Sequence, residues 1–208
     1  MLQLPTIYPI TNVELSGLSH ADQVRALAEA GCRFLQIRDK SGSSLEIFDA
    51  VAESVSIADS FGMKIILNDR VDIAITTGLH GVHLGQDDLS PAEARELLGD
   101  DAIIGYSTHS VEQAIEAASL PIDYLAIGPI FATTTKENPD PVVGLAGIRK
   151  VRDAIGDFPL VAIGGIDITK LSHVLAAGAD SAAIISALFA PGTTLADRFR
   201  ALEDATAV

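Results

Sequence analysis

Ile65-Ile66-Leu67-Asn68-Asp69-Arg70-Val71-Asp72 passes from three aliphatic residues to amide, acid and base without a transition. An unbroken apolar run of this length fits a strand buried on both faces, as in a parallel sheet. Asn68 and Asp69 then stand where the strand leaves the sheet, and Val71 to Ile75 open a helix. Taken alone, the Asn-Asp pair predicts helix N-capping, because both residue types are favoured caps. A second reading arises because the pattern recurs: polar residues suited to chemistry follow each apolar run.

Upstream, Leu4 to Ile10 is the first apolar run. Phe34 to Ile37 is the second, and it ends in Arg38-Asp39-Lys40. Downstream, Gly81 to Leu84 leads into Gly85-Gln86-Asp87-Asp88, and Ala102 to Tyr106 into Ser107-Thr108-His109-Ser110. Asp123 to Ile127 precedes a long loop, Leu160 to Ile163 precedes Gly164-Gly165, and Ala182 to Ile185 ends at Ser186. Between these runs the spacing turns helical. Ser19 and Ser90-Pro91 mark helix starts, Gly31 and Gly62 mark ends, and Leu45 to Ala58 carry one apolar face.

Strict alternation of strand and helix predicts a parallel sheet with crossover helices. Eight such units in 208 residues predict an α/β fold, a (β/α)₈ TIM barrel forming a single domain over residues 1–208. The rival, an open doubly wound sheet, lacks its G-x-G-x-x-G signature after the first strand.

A formal net charge of −14 argues against nucleic acid or an anionic membrane as partner. It leaves room for an anionic small substrate in a locally cationic cleft. No apolar stretch approaches the roughly 18 residues of a membrane span, and Met1 to Thr11 shows no secretory pattern. Cys32 is the lone cysteine, which excludes an internal disulfide and suits the cytoplasm. Oligomeric state is left open, homo-oligomers included.

In a barrel the carboxyl ends of all strands share one face. Asp69 and Asp88 then offer two carboxylates from adjacent strands, the number Mg²⁺ takes alongside waters and phosphate oxygens. Arg38, Lys40 and Lys136 supply positive charge for a polyphosphate. Helix capping by Asp88, ahead of Leu89-Ser90-Pro91, is the competing explanation. Gly164-Gly165 and Ile185-Ser186 follow strands seven and eight, where this fold commonly binds a monophosphate. His83 alternates with Val82 and Leu84, which predicts an inward, structural side chain. A zinc site lacks its His spacing. A Ser107–His109 hydrolase pair is rejected, because G-x-S-x-G is absent and alternating residues would not meet.

These residues resemble the thiamin phosphate synthase family. The resemblance rests on Gln36-Ile37-Arg38-Asp39-Lys40, Asn68-Asp69-Arg70-Val71-Asp72 and Gly81 through Leu89. It continues with Ser107-Thr108-His109-Ser110, Gly128 through Lys136 and Ala162-Ile163-Gly164-Gly165-Ile166. It implies a barrel transferase that joins a hydroxymethylpyrimidine diphosphate to a thiazole phosphate and releases diphosphate, with Mg²⁺ as cofactor. By the same resemblance Asp69 and Asp88 hold Mg²⁺. Gln36, Ile37, Arg38, Asp39, Lys40, Asn68, Ser107 and Lys136 bind the pyrimidine diphosphate. Thr133, Thr134, Thr135, Gly165, Ile185 and Ser186 receive the thiazole phosphate. Arg38, Lys40, Ser107 and Lys136 are the implied catalytic residues. Ile7-Tyr8-Pro9-Ile10-Thr11-Asn12 departs from the family's Tyr-Leu-Val-Thr-Asp opening, and the Lys136 to Val143 loop is expected to cover the site. The nearest rival is a thiazole tautomerase, which would need a base such as His109 and no carboxylate pair. A catalytically silent phosphate-binding barrel and a sugar-phosphate isomerase are more distant alternatives.

Overall fold

Period-two alternation sorts the strand residues of this protein between two cores. Leu35, Ile37, Ile65, Leu67, Val82, Leu84, Ile104, Leu125, Ile127, Leu160, Ala162, Ala182 and Ile184 pack outward against helices. Tyr8, Phe34, Ile66, Ile103, Tyr124, Ala126, Val161 and Ala183 fill a separate inner core. Successive side chains of a strand point to opposite faces, so a run that is apolar throughout serves both layers. The computed structural model describes residues 2–133 and 140–206.

Among the described residues eight strands form one parallel sheet. They are β1 (Ile7–Pro9), β2 (Phe34–Ile37), β3 (Lys64–Asn68), β4 (Gly81–Leu84), β5 (Ile103–Thr108), β6 (Tyr124–Ile127), β7 (Leu160–Ile163) and β8 (Ser181–Ile184). Their hydrogen-bonded order is β1-β8-β7-β6-β5-β4-β3-β2. An isolated parallel bridge, Ile10 to Gln36, closes the seam between β1 and β2. There the Thr11 N–H donates to the Gln36 carbonyl at 2.9 Å. The expected (β/α)₈ barrel is the fold observed.

The helices are α1 (Val13–Ser16), α2 (His20–Glu29), α3 (Ser44–Phe61), α4 (Val71–Thr77), α5 (Pro91–Leu98), α6 (Val111–Ala117), α7 (Gly144–Ile155), α8 (Leu171–Ala176) and α9 (Leu195–Asp204). Ser43 with Glu46 and Ser90 with Glu93 form capping boxes that start α3 and α5, each satisfying two orphan N–H groups. Helix α1 follows the first apolar run without any of the helix signals read from the sequence. None of its residues is buried, so it carries no apolar periodicity to read. It stands on the Asn12 cap and the left-handed Gly17 that ends it.

The capping expectation for Asn68 and Asp69 is corrected by the structure. Asn68 is the last residue of β3, and the cap position of α4 falls on Arg70, without a side-chain hydrogen bond. The Asp69 N–H bonds instead to the His83 carbonyl at 2.9 Å, extending the β3–β4 pairing by one residue. Asp69 has φ 65°, the only positive φ at a non-glycine among the described residues. Such a conformation is uncommon away from glycine and collects at functional sites. Asp88 does not cap α5 either: Ser90 does, while the Asp88 carboxylate accepts from the Gly85 N–H at 2.7 Å.

Candidate active site

Alternation decides which side chains reach the barrel mouth. Gln36, Asn68, His83 and Ser107 occupy inward positions of β2 to β5, and Arg38 and Lys40 continue the inward register beyond β2. All six line a cavity of about 600 Å³ at the carboxyl ends of the strands. That is a size suited to a small-molecule substrate. Ile37 and Asp39 fall on the other register. Ile37 is buried among the helices. Asp39 folds back on its own turn, accepting from the Ser41 and Gly42 N–H groups at 2.9 and 2.8 Å. Neither lines the cavity.

Asp69 and Asp88 face one another at one end of the cavity. Burial pushes the Asp69 carboxyl up from its ordinary value, the Lys40 ammonium opposes this, and the Asp88 carboxyl beside it adds to the rise. Lys40 also donates to Asp69 Oδ2 from a half-exposed side chain. Two carboxylates held together, with one of them paired to Lys40, are under like-charge strain that a cation would relieve. Among the described residues no group of three or more His, Cys, Asp or Glu side chains converges on a metal position. Two carboxylates, with the rest of the coordination left to water and phosphate oxygens, is the donor set that suits Mg²⁺. Asn68 Nδ2 is buried and has no hydrogen-bond partner among the described residues, and its residue lines the same cavity. It is a donor available to a ligand.

The opposite wall is built from Thr133, Gly164, Gly165, Ile185 and Ser186. Gly164 and Gly165 have φ 103° and 65°. A Cβ on Gly165 would stand 2.4 Å from the Ala132 carbonyl oxygen, and one on Gly164 would stand 2.7 Å from Pro129 Cα. The glycine pair therefore admits the β6–α7 loop close against β7, which brings the loop to the cavity rim. Ser186 begins a short 3₁₀ turn, Ser186–Phe189, whose first N–H groups lack partners within the turn.

His83 spans the floor, and its Nε2 lies 2.8 Å from Ser107 Oγ. Ser107 thus meets His83, whereas His109 lies with its Nδ1 3.0 Å from the Gly128 carbonyl. Burial pushes the His83 imidazole down to about 4, against the opposing field of Asp88. The unfolded chain takes up the proton first as pH falls, so this stabilisation is complete above about pH 6.5 and is lost toward pH 4. It amounts to about 3 kcal/mol. Urea unfolding at a series of pH values should show wild type losing more stability than His83→Gln over that interval. Parallel curves would remove His83 as the cause.

Of the other expected site residues, Thr134, Thr135 and Lys136 lie outside the described residues, as does the 136–139 part of the expected cover. Beyond it, Asp140 lines the cavity and the Val143 N–H bonds to the Pro129 carbonyl at 2.8 Å. Sequence reasoning missed Tyr8, Gln86, Asp87 and Gln113 as cavity residues. Gln86 Nε2 donates to the Ser107 carbonyl at 2.7 Å, and Gln113 Oε1 accepts from the His109 N–H at 2.7 Å. For Tyr8 the signal was available, since inward alternation on the first strand points it at the site.

Residues 7–188 match a family model described as thiamine monophosphate synthase. The thiamine-phosphate synthase of Koribacter versatilis is 44% identical over 205 residues, covering 95% of each chain. That of Albidiferax ferrireducens is 41% identical over 193 residues, covering 91% of this chain and 86% of the relative. The solved thiamine phosphate pyrophosphorylase of Pyrococcus furiosus superposes with a TM-score of 0.83 at 30% identity, covering 97% of each chain. Sequence and fold agree along nearly the full length, and the chain belongs to the thiamine monophosphate synthase family of transferases.

Proposed function

We propose that this enzyme makes thiamin phosphate by a dissociative route, in which diphosphate leaves the pyrimidine before the thiazole nitrogen attacks the resulting methyl cation. The observation that carries the reading is the polarity of the cavity, with acidic and basic groups at one end and glycine and 3₁₀ backbone at the other. The first end suits a diphosphate and the second a monophosphate. No general base is required, because the attacking nitrogen carries no proton to remove. The difficulty lies in the charge that grows on the departing diphosphate. Arg38 and Lys40 supply fixed positive charge beside it, and Lys136 is assigned the same task by family resemblance. Asn68 adds a donor. Asp69 and Asp88 would hold Mg²⁺, which when bound supplies further charge stabilisation to the phosphate oxygens. Thr133, Thr134, Thr135, Gly165, Ile185 and Ser186 anchor the thiazole phosphate and so set the distance between the two rings. A cytoplasmic setting is in keeping with the lone cysteine, Cys32, which is buried and unpaired among the described residues.

The test mixes purified protein with the pyrimidine diphosphate and the thiazole phosphate, in Mg²⁺ and in EDTA, and measures thiamin phosphate. Product confined to the metal-containing reaction is expected. Equal product in EDTA would remove the metal from the mechanism. Absence of product in both, from folded protein, would overturn the proposal and bring a thiazole tautomerase assay forward.

A further inference from the structure

A line of hydrogen bonds crosses the barrel floor and links five strands or their ends. Gln36 Nε2 donates to Tyr8 Oη at 3.1 Å. Tyr8 Oη lies 2.9 Å from Tyr124 Oη, and Tyr124 Oη lies 3.0 Å from His83 Nδ1. His83 Nε2 lies 2.8 Å from Ser107 Oγ. Gln36, Tyr8, Tyr124 and His83 are all buried, with Tyr8, Gln36 and His83 also forming part of the cavity wall.

Counting protons gives this line a direction. An amide nitrogen only donates, so Tyr8 Oη accepts from Gln36. Each phenol has one proton. The arrangement that gives every phenol proton an acceptor within the line directs that of Tyr8 at Tyr124 Oη and that of Tyr124 at His83 Nδ1. A ring nitrogen that accepts carries no proton, so the neutral imidazole holds its proton on Nε2. Nε2 then donates to Ser107 Oγ. The hydroxyl proton of Ser107, displaced from the His83 direction, is left to point into the cavity.

We propose that His83 is a positioning residue, fixed by Tyr124 as the Nε2–H tautomer so that Ser107 is held as a hydrogen-bond donor toward an acceptor atom of the substrate. The consequence for catalysis rests on the synthase reading above; the tautomer does not. Burial of His83, which keeps the ring neutral, is in accord. The opposite tautomer would turn Ser107 around, making it donate to His83 and present only lone pairs to the ligand. Phenols with no catalytic duty are thereby given one. They carry donor polarity from Gln36 to Ser107 across the floor.

The test is ¹⁵N-histidine NMR on the whole protein without substrate near neutral pH, where the ring nitrogen shifts report the tautomer. Wild type should show His83 as Nε2–H. Tyr124→Phe removes the donor to Nδ1, and a population of Nδ1–H should appear. Turnover should fall about tenfold with the KM for the thiazole phosphate little changed. Tyr8→Phe removes a hydroxyl from the same floor but leaves Tyr124 donating to His83, so the Nε2–H form should persist. An Nδ1–H imidazole in wild type would overturn the proposal. So would equal tautomer shifts in the two tyrosine variants, which is what a merely structural role predicts. If Tyr124→Phe fails to fold, the wild-type and Tyr8→Phe spectra still decide the tautomer. Because it is read on ligand-free protein, failure here is distinct from failure of the synthase assay.

Discussion

Asp88→Asn is expected to lower turnover by about 10²- to 10³-fold while leaving the melting temperature unchanged or raised. The two halves of this result have different origins. The asparagine keeps an oxygen for the Gly85 N–H that Asp88 now holds at 2.7 Å, so the loop before α5 retains its anchor. The substitution removes a negative charge facing Asp69, whose carboxyl is pushed up by burial and further by Asp88. Relieved of that neighbour, Asp69 pairs better with Lys40. What is lost is half of the donor set proposed for Mg²⁺ and with it the stabilisation of charge on the leaving diphosphate. Sites arranged for function often gain stability when that arrangement is undone. Initial rates over a Mg²⁺ titration, with thermal melts in EDTA, separate the contributions. An unchanged rate at limiting Mg²⁺ would count against the metal role. A melting temperature that falls together with the rate would make Asp88 a structural residue.

Gly105→Ala should damage the fold and the activity together. A Cβ at Gly105 would lie 2.1 Å from Tyr124 Cζ, 2.3 Å from its hydroxyl oxygen and 2.6 Å from His83 Nδ1. The tyrosine ring has no free space to yield into. It meets Tyr8 edge-on at 5.9 Å and Phe34 at 6.4 Å between centroids, and it stacks on His83 at 5.5 Å. Overpacking of this kind costs about 3 kcal/mol, which for a chain of this size lowers the melting temperature by about 6–12 °C. Displacing the two rings also uncouples His83 from Ser107. A thermal melt and a rate measurement check both effects. Combining Gly105→Ala with Tyr124→Leu should restore part of the stability and none of the activity, a non-additivity expected only of residues in contact. A Gly105→Ala protein that melts with wild type would show that the barrel floor is looser than its geometry implies.

The strands were legible because parallel strands buried on both faces leave unbroken aliphatic runs, and β2, β4 and β7 begin and end where those runs do. Charged and amide residues after the runs pointed to Arg38, Lys40, Asn68, Asp69 and Asp88, all of which line the cavity. Ile37 and Asp39 were named with the rest of their motif, and their side chains stand off the cavity. Alternation within Gln36-Ile37-Arg38-Asp39-Lys40 sends every second side chain away from the mouth. Capping by Asn68 and Asp69 was a local expectation overridden by pairing, since the Asp69 N–H is engaged by β4. Tyr124 was hidden because an aromatic residue inside an apolar run looks like core, and for Tyr8 alternation gave the direction of the side chain but not its partners. Only the positions of their hydroxyls, 116 residues apart in sequence and 2.9 Å apart in space, reveal a polar task.

Closure of the barrel has a consequence for its birth on the ribosome. β1 is made first, yet its ladder partner is β8, with Ile7 beside Ala182 and Pro9 beside Ile184. Its backbone pairing toward β2, among the described residues, is the one bridge at Ile10. For most of translation the N-terminal strand therefore waits without its main partner, and Tyr8 waits with it. A nascent chain stalled before β8 can present the carboxylates and cations of the early loops, but it lacks the wall at Ile185 and Ser186 and the edge that holds Tyr8. Long-range pairings of this kind form late. Synthesis of β8 and assembly of the site thus become one event, and a product that stops before β8 lacks the cavity.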